Sequence, residues 1–223
     1  MRAALVVLRK DLRLEMRTLE SVPAMALFSI VAFVIFHFAL NRGTLEGQLA
    51  AGVLTTTLLL AAMLAVNRLF VAEREQGGFD AFLLAPVDGS AMLLAKVSAL
   101  FIFLAVLEVI AVPAFALLLL GPSIGPSLLG LIAVLALTDL AFALAGTLVS
   151  GLAIHARARE LIGPVVGLPV LIPALIAAAR ASGPLLVRHA TGSPPGKWIA
   201  VLALYDVVFA LLAYAVFDFL LED

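Results

Sequence analysis

The sequence predicts an all-α membrane protein of six transmembrane helices, with an N-terminal interfacial amphipathic helix and a cytoplasmic coupling helix between the second and third spans. Composition is the first reason. Of 223 residues 64% are hydrophobic and 13% charged, and the mean hydropathy is +1.20, against about 45–50% apolar and about 25% charged in soluble chains. The second is run length: several apolar stretches reach the roughly 20 residues a helix needs to cross a hydrocarbon core of about 30 Å. The third is periodicity. None of these stretches shows the alternation of a barrel strand, and backbone groups in lipid have to be satisfied within their own segment.

The same numbers exclude several classes. A formal net charge of −1 offers no basic surface to release counterions from nucleic acid. The chain has no cysteine, so disulfides, thiolate metal sites and thiol relays are absent from it. The region from Met1 to Glu20 is too charged for the apolar centre of a cleaved signal peptide, so the first span is expected to act as the insertion signal.

Residues 2–19 place Leu5, Leu8, Leu12, Met16 and Leu19 on one helical face, with Arg2, Arg9, Lys10, Arg13 and Arg17 on an adjacent flank. This predicts a helix lying on the membrane with its basic flank toward anionic headgroups, each cation contributing about 1 kcal/mol. The alternative is a positive N-terminus that only sets topology. Pro23 suits an early position in the first span, 22–40, and the second runs over 49–67. The third run, 89–120, is too long for a straight span, and Pro113 predicts a kink. Short turns at 41–46 and 121–126 separate the spans, and the fourth covers 127–153. Span five, 161–179, carries Gly163, Pro164, Gly167, Pro169 and Pro173, and is expected to be kinked or partly unwound, with neighbours satisfying its freed carbonyls. A polar loop, 180–197, precedes span six at 198–220, and the whole chain forms one transmembrane domain.

Charge fixes the orientation. With the N-terminus inside, the inner segments hold Arg2, Arg9, Lys10, Arg13, Arg17, Arg68, Arg74, Lys96, Arg157 and Arg159, and the outer ones Arg42, Arg180, Arg188 and Lys197. Because cytoplasmic loops carry the excess of Lys and Arg, both termini are expected in the cytoplasm.

The stretch Arg68 to Pro86 is then cytoplasmic. Glu73, Arg74 and Glu75 form a charged knot, Gly77 and Gly78 break the helix, and Phe79, Phe82, Leu83 and Leu84 recur at helical spacing before Pro86. Such a segment reads as a short amphipathic helix with an apolar edge for a soluble partner; the alternative places its phenylalanines on lipid headgroups. Arg157, Arg159 and Glu160 after span four offer a second, smaller contact.

Glu108, Asp139 and Asp206 fall inside spans, where an ionised carboxylate costs at least about 2.5–3.5 kcal/mol at the bilayer centre. They line a polar pathway or proton relay, or they are interhelical hydrogen-bonding glue; spacing alone leaves both open. Asp218 lies near the inner end of its helix and is expected to reach the interface. His37, His155 and His189 are too scattered for a metal site. Trp198 beside Lys197 suits an interfacial anchor. No phosphate-cradling loop exists: the Gly192 to Trp198 stretch has the wrong glycine spacing and lacks Ser or Thr after Lys197. Gly163/Gly167 and Gly146/Ser150 are small-residue pairs that allow close helix approach, within the chain or across a homodimer. No nucleophile, base and orienting group assemble into an enzyme site.

The stretch RLFVAEREQGGFDAFLLAPVDGSAMLLAK from Arg68 to Lys96, with ARELIGPVVGLPVLIPALIAAARA from Ala158 to Ala181, resembles the heme exporter protein B (CcmB) family of bacterial cytochrome c maturation. The resemblance extends along essentially the whole chain, and the proline-rich fifth span distinguishes it from the generic pattern of ABC export permeases. It implies a permease subunit of the bacterial inner membrane, working as a homodimer with a separate CcmA-like ATPase that binds ATP and Mg. CcmC-like and CcmD-like heme-handling proteins and a periplasmic CcmE-like chaperone are the further partners it implies, with heme as cargo of the complex and no cofactor in this chain. One departure is chemical. The tryptophan-rich heme-handling motif of the partner proteins is missing, Trp198 being the sole tryptophan, and no histidine pair is placed to ligate heme iron, so a step that releases a heme-loaded partner fits as well as passage of heme. Outside the family, the chain reads as a permease for lipid, glycan or drug, as a proton-coupled carrier using Glu108, Asp139 and Asp206, or as a passive scaffold.

Overall fold

The structure is a computed structural model that describes residues 2–40, 43–69, 89–121, 124–153, 163–187 and 193–222. Seven α-helices make up nearly all of this: α1 (Arg2–Thr18), α2 (Ser21–Ala39), α3 (Gly47–Arg68), α4 (Gly89–Leu118), α5 (Leu128–Ala153), α6 (Leu168–Ser182) and α7 (Gly196–Glu222). A π-turn, Gly163–Gly167, leads into α6, and single 3₁₀ turns, Gly125–Ser127 and Gly183–Leu185, flank α5 and α6. Six of the helical segments are long and apolar enough to cross a membrane, which makes this an all-α multi-pass membrane protein. Among the described residues there is no strand, only an isolated parallel bridge between Leu45 and Leu120.

The helices enclose α3 and α5. Helix α2 packs on α3 and α4, α4 on α5, α7 on α5 and α6, and α6 on α3 and α5. Close approach is built into α5. A Cβ at Gly146 would stand 2.6 Å from Val66 Cγ2 and 3.3 Å from Leu100 Cδ2, and the Ser150 hydroxyl donates to the Val66 carbonyl at 2.7 Å. A Cβ at Gly167 would meet Met63 Cε at 2.9 Å. These small residues therefore serve packing within the chain. Phe33 of α2 and Phe115 of α4 meet with ring centroids 5.4 Å apart, both fully buried.

Proline shapes two helices differently. Pro113 lies inside an α4 that stays helical from Gly89 to Leu118. In span five the helix widens to π register over Gly163–Gly167, just before Pro169, which lacks the donor that the carbonyl four residues earlier would use. The Tyr205 hydroxyl on α7 donates to the Val170 carbonyl at 3.0 Å, beside the turn that Pro173 disturbs.

At one end of the bundle its connections are hydrogen-bonded to one another. Leu45 N–H donates to the Leu119 carbonyl at 2.7 Å, and Gly121 N–H to the Leu45 carbonyl at 3.2 Å. Gly47 N–H donates to Leu186 O at 2.9 Å, and the Ser127 hydroxyl to Leu185 O at 2.6 Å. Loops from three different connections are thereby stitched together. Gly47 takes a φ of +62°, a conformation glycine adopts without strain.

Helix α1 differs from expectation in how it is rolled. Its protein-facing residues are Ala4, Val7 and Leu8, which pack on Ala91 and Ala95 of α4, whereas Leu5 and Met16 are each 67% exposed. Leu19 falls outside the helix in the left-handed region, φ +50°. The apolar residues thus divide between two flanks, one on protein and one outward, because α4 offers a surface that the helical pattern alone does not reveal.

Candidate functional site

The segment singled out by sequence is described only at its roots. Glu73, Arg74, Glu75, Gly77, Gly78, Phe79, Phe82, Leu83 and Pro86 lie outside the described residues, as do Arg157, Arg159 and Glu160. The roots are Arg68 and Leu69 at the end of α3 and the first turns of α4; Lys96 of α4 links Leu69 to Asp11 of α1, and Arg68 pairs with Glu20 between α1 and α2.

Asp11 and Glu15 of α1 and Glu20, which precedes α2, make these ties. Lys96 on α4 is 1% exposed; its ammonium stands 2.9 Å from Asp11 Oδ2 and donates to the Leu69 carbonyl at 3.1 Å. A buried cation is tolerated only when paired and hydrogen-bonded. Leu69 supplies a carbonyl left over at the C-terminus of α3, the negative end of that helix. Lys10 approaches the other Asp11 oxygen at 3.5 Å. Glu15 Oε1 accepts from the backbone N–H of Ser21 and of Val22, both at 2.8 Å, capping α2, whose own N-cap residue makes no side-chain cap. Glu20 pairs with Arg68 at 3.1 Å on the surface. Arg2, Arg9, Lys10, Arg13 and Arg17 are all exposed.

Sequence reasoning missed Asp11, Glu15 and Glu20, and read Lys96 only as a topogenic charge. A signal was present. Asp11 and Glu15 are four residues apart and share the helical face of Ala4, Val7 and Leu8, where a solvated acid does not belong.

The intramembrane carboxylates lie at one level. Glu108 is ten residues before the end of α4 at Leu118, Asp139 eleven after the start of α5 at Leu128, and Asp206 ten after the start of α7 at Gly196. At about 1.5 Å per residue each is about 15 Å from the stitched end. Glu108 and Asp139 are neighbours between α4 and α5, each with a buried oxygen that has no partner among the described residues, Oε1 and Oδ2, and neither oxygen of the buried Asp206 carboxyl has one. The side chain of Asp218 lies outside the described residues.

His37 Nδ1 is hydrogen-bonded to the Leu118 carbonyl at 2.7 Å, joining α2 to α4 near the stitched end. His155 and His189 lie outside the described residues, and among the described residues no group of three metal-ligating side chains occurs. Lys197 Nζ sits 5.4 Å over the Trp198 ring.

Fold and site together define a multi-pass helical membrane protein with a polar, charge-sorted end. Comparison with known proteins carries this further. The family model for CcmB protein matches residues 2–220. Heme exporter protein B of Rhodobacter capsulatus is 30% identical over 198 residues, 88% of each chain. That of Paracoccus denitrificans is 30% identical over 213 residues, 95% of this chain and 94% of its own. That of Bradyrhizobium diazoefficiens is 26% identical over 216 residues, 96% of each. The chain belongs to the CcmB protein family.

Proposed function

We propose that this chain is the permease subunit of an ABC complex of the bacterial inner membrane, with both termini cytoplasmic. A separate CcmA-like ATPase hydrolyses ATP with Mg, and the work released drives heme delivery for cytochrome c maturation. CcmC-like, CcmD-like and CcmE-like proteins complete the assembly, and two copies of this chain form its membrane core. Family membership and the names of the relatives support the heme assignment. The excess of Lys and Arg at the α1 end supports the orientation.

Within that frame, the chain acts by changing shape to release a heme-loaded partner rather than by passing heme through its bundle. The stitched end supports this reading: backbone hydrogen bonds from Leu45, Gly47 and Gly121 tie three connections together across that end of the bundle. His37, the described histidine, is committed to a backbone carbonyl. Because a nucleotide-driven partner biases this chain only through contacts that differ between two states, the segment with Phe79, Phe82 and Leu83 is its lever.

The test uses the absence of native cysteine. Leu45→Cys/Leu120→Cys places one thiol pair at the bridge, and the chain offers no competing thiol. Cytochrome c maturation is expected to continue with the disulfide closed. Arrest on oxidation with recovery on reduction would instead show that cargo passes this end.

A further inference from the structure

The acids and bases of the first twenty residues are sorted by side. On α1, Asp11 and Glu15 engage α4 and the start of α2, while Arg2, Arg9, Arg13 and Arg17 face outward beside the exposed Leu5 and Met16. An outward surface that is both cationic and apolar fits an anionic phospholipid surface, its apolar residues entering the acyl boundary and its arginines meeting phosphate. The inward ties join that surface to the ends of α3 and α4, and Lys96 is the centre of them. It touches α1 through Asp11 and α3 through Leu69, from its own place on α4.

We propose that α1 is a receptor for anionic lipid and that the Asp11–Lys96 ion pair relays its seating to the facing ends of α3 and α4. Helix α1 meets α4 also through Ala4 and Val7 on Ala91 and Ala95, but Lys96 carries the contact on to the end of α3, and a lipid biases that end through a group that touches both sides. The inference does not depend on any ATPase, so it can fail while the proposed function stands, and the reverse.

The purified full chain is reconstituted in vesicles of phosphatidylcholine alone or mixed with phosphatidylglycerol, and amide hydrogen exchange is followed. Phosphatidylglycerol is expected to slow exchange in α1, in Val66 to Leu69 and in the first two turns of α4 by about fivefold or more, the factor one surface cation contributes. Asp11→Asn/Lys96→Met removes both charges. In this variant α1 should still respond to the anionic lipid, while Val66 to Leu69 at the end of α3 should not. Equal responses of Val66 to Leu69 in wild type and double variant would overturn the relay, and an α1 indifferent to phosphatidylglycerol would overturn the receptor. Should the double variant not fold, Arg2→Gln/Arg9→Gln/Arg13→Gln/Arg17→Gln, which changes only the exposed flank, decides the matter. Loss of the lipid response in both α1 and α4 supports the proposal, and its persistence in α4 refutes it.

Discussion

At the scale of single residues, burial decides which charges matter. Removing one member of a buried ion pair strands the other, at a cost of about 3–5 kcal/mol, whereas removing both is often close to neutral. Lys96→Met is therefore expected to destabilise the purified chain by that amount in detergent-denaturation titrations, and Asp11→Asn/Lys96→Met to recover most of the loss. Glu20→Gln, which breaks an exposed pair with Arg68, should change stability by less than about 1 kcal/mol in the same assay. The Glu108–Asp139 contact allows a similar contrast. Asp139→Asn keeps a hydrogen-bonding group opposite Glu108, while Asp139→Leu leaves it unpartnered, at about 1–3 kcal/mol more. If the asparagine variant is stable but inactive in maturation, the carboxyl itself is used; if it is active, the pair is glue. The sequence marked Glu108, Asp139 and Asp206 as residues that need partners, because a carboxylate in a span is costly wherever it points. It could not mark which of them meet, since that depends on the rotation of each helix about its axis.

At the scale of helices, small residues set the distances. A methyl group at Gly146 has no room between Val66 and Leu100, while nothing stands within 4 Å of a Cβ at Gly52. Gly146→Ala is expected to destabilise by about 1–3 kcal/mol through overpacking. Gly52→Ala should stabilise by about 0.5–1 kcal/mol through helix propensity alone, and thermal melting of the two variants side by side checks both. Tyr205→Phe removes the donor to Val170 O, a loss of about 0.5–1.5 kcal/mol. The prolines of the fifth span pointed to irregular backbone, since each deletes a donor that the α register requires. That the irregularity takes the form of a π-turn over Gly163–Gly167 followed by regular helix was not legible, because several registers bypass a missing donor. The rolling of α1 was hidden for a related reason: a helical wheel shows which residues share a face but not what lies against it.

At the scale of the molecule, hydropathy identifies membrane-spanning segments but cannot rank them by depth in the bundle. The most apolar span, α4, is less enclosed than α3, because lipid tails are as apolar as a protein core and association is driven by packing and hydrogen bonds instead. The proposed partner contact is also a whole-molecule property. Phe82→Asp is expected to weaken co-purification of the ATPase about thirtyfold or more, the loss of an aromatic anchor worth about 2 kcal/mol; undiminished recovery with normal ATP turnover would count against the lever. The stitched loops bear on how such a lever works. With the starts of α3 and the ends of α4 fastened to each other and to the turn after α6, the helices resemble the arms of tweezers joined at the far tip. A push at the α1 end can splay them about that joint, and displacement then shrinks with distance from the push, so the largest strokes fall on the side where force is applied.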